Sequence, residues 1–430
     1  MNENMKPKTF LLLIGLTWLH SLLLPAQLIT LDEMQRKSAA NYPAIARYDI
    51  IEKTKNFSIS NANKAFLPQG TLSGQATWQS DVTHFDVDLP EGMPPLAVPV
   101  PDQDQYRVVA ELNQLIWDGG NISAQKKSLK ANAELEKKQL DTEVYALRER
   151  VNNLYFGILL MKSNLRQQEI LEKELQRNYD NVNTYVVNGV ANEADLSAVK
   201  VEQLKAGQQR IQLESTLDAY IQMLSVLAGE SIDKNMNFVK PNPDVEMISP
   251  IINRPELTMF AVQEEAIETQ ISLLKAKNKP KLSAFAQGGY GKPGLNMFDT
   301  EFSPYLLGGV RLSWNFGNLY TYRNNLKKID LQKQSVQVQK ETFLYNLHVQ
   351  IPQQQTEIEK FKKTMQDDNE IIRHQTLIRK AAEVKVENGT MTVSDLMKEI
   401  NAEEAAKQAK TLHEIQYLMS VYSLKNTTNQ

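Results

Sequence analysis

The strongest constraint on this chain is that it repeats itself. Tyr145, Leu147, Val151, Gly189, Asp195 and Leu196 are matched, each 200 positions later, by Tyr345, Leu347, Ile351, Gly389, Asp395 and Leu396. Nearer the start, Pro43 and Pro68 stand 25 apart, as do Pro255 and Pro280, at a displacement of 212. An offset that holds over a long segment and then changes once implies two copies of one unit joined through loops of unequal length. Internal repetition decides an architecture before local structure does. The expected division is a leader over 1–26, a first unit over 27–240 and a second over 241–430.

Each unit opens with a helix, from about Pro43 to Ala65 and from Pro255 to Lys277, with proline in the first turn where its missing N–H costs nothing. The period then changes to two. TLSGQATW at 71–78 places Leu72, Gly74, Ala76 and Trp78 on one face. YRVVAELNQLIW at 106–117 does the same with Tyr106, Val108, Ala110, Leu112 and Ile116, leaving Arg107, Glu111 and Asn113 opposite. LSAFAQGGY and LLGGVRLSWN repeat the scheme in the second unit, with Arg311 on the polar face. Four strands are expected in all, separated within each pair by polar loops rich in Pro and Gly.

Very long helices follow. Leu140, Val144, Leu147, Val151, Leu154, Ile158, Met161 and Leu165 advance by fours and threes, a heptad seam within a helix expected from about Ile122 to Val186. At ~1.5 Å per residue it would be on the order of 100 Å long. Leu213, Leu217, Tyr220, Leu224 and Leu227 carry the seam onto a returning helix. The second unit follows the same plan from about Tyr320 to Glu387 and from Thr392 to Leu424, with Pro352 inside, where a kink or local unwinding is expected.

Composition narrows the setting. MNENMKPKTFLLLIGLTWLHSLLLPAQ carries Lys6 and Lys8, an apolar run from Phe10 to Leu24, and small residues near Ala26, which is the layout of a secretory signal peptide cleaved near Ala26 or Gln27. The chain has no cysteine, which excludes disulfides, thiolate catalysis, Cys-ligated zinc and a lipid anchor on an N-terminal Cys. A net charge of -3, with no basic cluster interleaved with aromatics, excludes nucleic acid. His20, His84, His348, His374 and His413 show no metal-ligand spacing, and no nucleophile, Walker or dinucleotide motif is present. No enzyme, metal or cofactor is expected.

Four strands with one apolar and one polar face cannot stand alone, because two edges would stay unpaired. Such alternation suits a β-barrel with lipid outside and water within. Four strands are too few for one, so a barrel must be shared among subunits. Beyond the leader, the tryptophans are Trp78, Trp117 and Trp314, all near strand ends, where an aromatic girdle meets headgroups. Arg107, Glu111 and Arg311 would then wet the lumen.

The duplicated order, the WDGGN turn at 117–121 and the paired turns VVNGVANEADL and VENGTMTVSDL together resemble the TolC-type outer membrane efflux proteins. The resemblance spans nearly the whole mature chain, although the second strand-to-helix turn reads WNFGNLY. It implies a mainly α fold with a β-barrel contribution: a homotrimer giving a 12-stranded transmembrane barrel in outer-membrane lipid above a periplasmic α-barrel of coiled-coil hairpins. It further implies a passive exit duct of a tripartite efflux or type I secretion system, joined by a periplasmic adaptor to an inner-membrane pump. The alternative is a periplasmic adaptor or other coiled-coil interaction protein, which would show one hairpin flanked by soluble β-domains.

At the turns, Gly189 and Gly389 supply the positive φ that reverses the chain. Asn192 and Thr392 can cap the returning helices, with Asp195 and Asp395 three residues on. Capping by itself accounts for these residue types. The resemblance adds that Gly189, Val190 and Ala191, and Gly389, Thr390 and Met391, lie where the adaptor is met. It also places Asp395 at the closed periplasmic entrance, with Lys398 where some members carry a second acid.

Overall fold

The computed structural model describes residues 28–83, 92, 99–189, 191–242 and 251–429. The leader over 1–26 and Val190 lie outside the described residues. The chain opens with β1 (Leu28–Ile29) and α1 (Leu31–Asn41), then a 3-10 turn over Pro43–Ile45. The first repeat follows as α2 (Ala46–Lys64), β2 (Gln69–Trp78), β3 (Asp104–Trp117), α3 (Asn121–Val187) and α4 (Glu193–Ala228). After β4 (Asn237–Phe238) comes the second, as α5 (Pro255–Lys277), β5 (Lys281–Lys292), β6 (Ser303–Ser313), α6 (Gly317–Glu387) and α7 (Val393–Thr428). The order helix, strand, strand, long helix, returning helix thus occurs twice.

Two expectations are corrected. Six strands are present among the described residues, because β1 pairs in parallel with β4 through Leu28↔Asn237 and Ile29↔Phe238; two residues are too few to show a period. The first helix begins at Ala46, Pro43 opening the 3-10 turn instead.

The chain forms two compact units, each drawn from both repeats. Among the described residues, one comprises those up to Ile45 together with those of 140–255 and 342–429; the other comprises those of 46–139 and 256–341. The first is helical. Its core joins Val151, Leu154, Tyr155, Phe156 and Ile158 of α3 to Leu217, Ile221 and Leu224 of α4 and to Ile415 and Leu418 of α7. The seam read from the sequence is therefore the buried stripe, each such side chain contributing roughly 1.5–3 kcal/mol when fully covered. The Tyr155 hydroxyl lies 2.7 Å from both the Ile29 and Val239 carbonyls, tying the β1–β4 pair to this core. Helix α6 runs 71 residues with Pro352 inside and no break in the helix; the side-chain hydroxyl of Thr356 donates to the Pro352 carbonyl at 2.8 Å.

The second unit holds the four-stranded sheet, in the order β2-β3-β5-β6 with antiparallel neighbours throughout. Leu72 faces Ala110, Ala110 faces Gly288, and Gly288 faces Leu306. Strands β2 and β6 are open edges. Among the described residues no helix is long and apolar enough to cross a membrane.

Candidate functional site

The sheet has two unlike faces. One carries Leu72, Ala76, Tyr106, Val108, Leu112, Tyr290, Leu306, Val310 and Leu312, and it is open: Leu306 is 86% exposed and Leu72 77%. The other carries Arg107, Glu111 and Arg311. Arg311 lies 4.0 Å from Glu111 and its guanidinium stacks 4.8 Å from the Phe285 ring centre, so β6 and β3 share a charge pair across β5.

Trp117 is out of phase with Tyr106 and Val108 in the sequence. A bulge between Leu115 and Trp117 corrects the phase and sets Trp117 opposite Leu282, on the apolar face. Trp78, paired with Asp104, ends the sheet at the loop side. Trp117 lies at the helix side, as does Trp314, one residue beyond β6, where its indole N–H donates to the Asn278 carbonyl at 3.0 Å. The Asp118 carboxylate of WDGGN accepts from the backbone N–H of Gly120 at 2.8 Å and of Ile122 at 2.5 Å, capping α3.

The two turns are built alike and finished differently. Gly189 and Gly389 adopt φ of +72° and +66°, and each accepts no Cβ without backbone strain. At the first turn Asn192 and Asp195 form a reciprocal capping box, the Asp195 N–H donating to the Asn192 side chain at 3.0 Å and the Asn192 N–H to the Asp195 carboxylate at 3.1 Å. At the second, the Asp395 N–H donates to the Thr392 hydroxyl at 3.1 Å, the hydroxyl donates to the Asp395 carboxylate at 2.7 Å, and Lys398 Nζ reaches the same carboxylate at 2.8 Å. Lys398 first, then Thr392, holds the Asp395 carboxyl below the usual carboxylate range. Ala191 is half-buried and Thr390 exposed, while Met391 packs against a cluster formed by all four hairpin helices, including Leu175, Val199, Val386 and Leu396. Val187, 78% exposed beside the first turn, is an apolar tip residue that the sequence pattern does not single out.

Behind the second turn lies an ionic cluster with no periodic signature. Arg379 Nη1 contacts Glu383 at 2.6 Å and Glu174 at 3.0 Å, and its Nε contacts Glu403. Glu403 also holds Lys407 at 2.9 Å and the Thr376 hydroxyl at 2.9 Å. Burial pushes the Glu403 carboxyl up, but the hydrogen bonds from Lys407, Thr376 and Arg379 outweigh it and leave it low. Its neighbour Glu404, with Gln408 alone donating, is raised by burial.

Comparison with known proteins places this geometry. Residues 36–230 match the family model described as outer membrane efflux protein. No curated protein matches the chain in sequence. Among solved structures the chain resembles CusC, described in terms of folding and transmembrane channel formation, with a TM-score of 0.68 and 12% identity over 93% of this chain and 91% of that one. It also resembles the outer membrane protein VceC of Vibrio cholerae, with a TM-score of 0.63 and 12% identity over 93% and 94%. The CmeC outer membrane channel of Campylobacter jejuni gives 0.64 and 13% over 93% and 85%. At such identities the likeness is one of fold.

Proposed function

We propose, for a chain whose residues 36–230 match the outer membrane efflux protein model and whose fold is similar to that of outer-membrane channels, that three copies close into one exit duct. The single observation that carries this reading is the sheet, with open edges at β2 and β6 and an apolar face left uncovered. Pairing β2 of one chain with β6 of the next removes both edges, and three chains give a twelve-stranded barrel. From Tyr106 to Trp117 the strand would rise on the order of 25 Å along the membrane normal at the usual strand tilt, the height of an outer-membrane apolar band. Arg107, Glu111 and Arg311 then line a wet lumen.

The helices support the same assembly. Leu204, Ile211 and Val226 of α4 and Leu331, Val338 and Val349 of α6 are exposed, apolar faces that suit packing against neighbouring copies. Helices α3 and α6, of 67 and 71 residues, would each run ~100 Å, enough to extend a tunnel through the periplasm. The duct serves a tripartite efflux or type I secretion system, an adaptor docking on Gly189, Val190, Ala191, Gly389, Thr390 and Met391 and linking it to an inner-membrane pump. Asp395 gates the periplasmic end. Pairing each Asp395 with Lys398 of its own chain softens the mutual repulsion of a three-carboxylate ring.

The test is reconstitution of the purified chain in planar bilayers. A trimer is expected, with a conductance that rises in Asp395→Ala and becomes more cation-selective in Lys398→Ala. Monomers that conduct nothing, with or without Asp395→Ala, would overturn the reading.

A further inference from the structure

The two ends of the sheet are oppositely charged. At the loop end stand Asp81, Asp102, Asp104, Asp299 and Glu301, with Lys292 held by Asp102 at 2.5 Å. At the helix end the chain segments meeting the sheet are basic. The end of α5 and the start of β5 bring Lys275, Lys277, Lys279 and Lys281, all exposed. The first turns of α6 bring Arg323, Lys327 and Lys328, and those of α3 bring Lys126, Lys127 and Lys130. Among the described residues none of these ten cations is ion-paired; Lys126 donates to the Asn63 side chain instead. The nearby carboxylates are occupied, Asp118 by the α3 cap and Asp330 by Gln334 at 2.8 Å.

Ten cations against the carboxylates of Asp118 and Asp330 leave this belt strongly positive on a chain of net charge -3, and it repels itself unless a counter-charge covers it. Its position says which. Trp314, at the edge of the apolar face, bonds the Asn278 carbonyl between Lys277 and Lys279, so the belt begins where the apolar surface stops. Between α5 and α6 opens a groove of about 330 Å³ with Lys277, Lys328, Asn325 and Gln270 beside Leu274 and Ile329. Cationic and amide donors next to apolar surface match a phosphate headgroup with the start of its acyl chains.

We propose that this belt binds the headgroup phosphates of anionic phospholipid in the leaflet that meets the helical end of the sheet. The proposal rests on the reading that the sheet lies in a bilayer. Each basic side chain at an anionic surface strengthens attachment on the order of fivefold, and the belt recurs in every copy of the assembly.

The test is native mass spectrometry of the purified chain from neutral detergent micelles doped with equal phosphatidylglycerol and phosphatidylcholine. Phosphatidylglycerol is expected to be retained preferentially, and the preference to fall about tenfold or more when Lys275, Lys277, Lys279 and Lys281 are changed together to Gln. It should survive when the same four become Arg, and when Lys360, Lys362, Lys363 and Lys380 become Gln. Equal retention of the two lipids, or equal loss in both Gln variants, overturns the belt. Displacement of the lipid by inorganic phosphate at matched concentration overturns the lipid assignment in favour of a free-phosphate site. Flotation with neutral vesicles reads the bilayer premise separately. A chain that floats without lipid preference refutes the belt alone, and one that never floats refutes the premise.

Discussion

Helices α4 and α7 occupy equivalent places in the two repeats and bury different residues. Both have 36 residues, both are capped at their first turn, and they lie 200 positions apart. Every buried residue of α4 is apolar, from Val199 through Leu213 and Leu224 to Ala228. Helix α7 buries Glu403, Glu404, Thr411, Ser420, Thr427 and Thr428 beside its Ile and Leu positions. The repeat-mates differ even in exposure: Leu204 is 59% exposed where Glu404 is 7%. Duplication therefore preserved the backbone plan while assigning the two copies different neighbours. The returning helix of the first hairpin buries apolar side chains alone, whereas that of the second adds carboxylates and hydroxyls that need partners, among them Arg379. The family match, which ends at residue 230, covers the first.

The largest effect should come from removing such a partner. Arg379→Ala leaves Glu403, Glu383 and Glu174 without their shared cation, and removing one partner of a buried ionic group costs roughly 3–5 kcal/mol. Chemical denaturation of the purified chain should show this loss. Leu224→Ala, in the apolar counterpart, is expected to cost about 2–4 kcal/mol through lost burial and a residual cavity. The two should separate by conditions: the Leu224→Ala loss stays constant between pH 4 and 8, whereas the Arg379→Ala loss shrinks in acid as pH falls toward the depressed value of the Glu403 carboxyl. Parallel pH dependence would remove the distinction between the hairpins.

Neighbouring glutamates sharpen the same contrast through opposite signs. Glu403 is held below the reference value of 4.5, so its contribution is present above that pH and is lost as pH falls through the depressed native value. Glu404 is raised above 4.5, so its contribution is present while it is protonated and is lost as pH rises from 4.5 through the raised native value. Glu404→Gln should accordingly stabilise the chain by about 1 kcal/mol near neutrality and by less in acid, while Glu403→Gln should destabilise it near neutrality. Denaturation midpoints measured across pH 3 to 8 decide both.

Which of these features the sequence discloses follows from their range. Periodic features are local, and the heptad seam, the alternating strands, the Asn-Gly turns and the 200-residue offset could be read directly. The Arg379 cluster could not, because Glu174, Arg379 and Glu403 come from three helices and occupy positions that suit any solvated face. Trp117 illustrates a subtler limit. A strict period of two assigns it to the polar face, and only the extra residue of a bulge, invisible in the pattern, returns it to Leu282. The β1–β4 pair escaped because two residues carry no period, although Tyr155 makes it part of the core.

The smallest expected effect concerns the turns, where the copies look most alike. Asn192→Ala removes one half of a reciprocal capping box and should cost about 1 kcal/mol, with conductance unchanged. Thr392→Ala should cost a similar or smaller amount, because only the Thr392 hydroxyl is lost as a cap. That hydroxyl also donates to the carboxylate of Asp395, the residue proposed as the gate, whereas at the first turn the Asp195 carboxylate accepts from the Asn192 backbone N–H. Thr392→Ala should therefore leave Asp395 restrained by Lys398 alone, and single-channel recording should show more frequent openings. If both cap variants change stability and neither changes conductance, Asp395 is a capping partner, and the turns are equivalent after all.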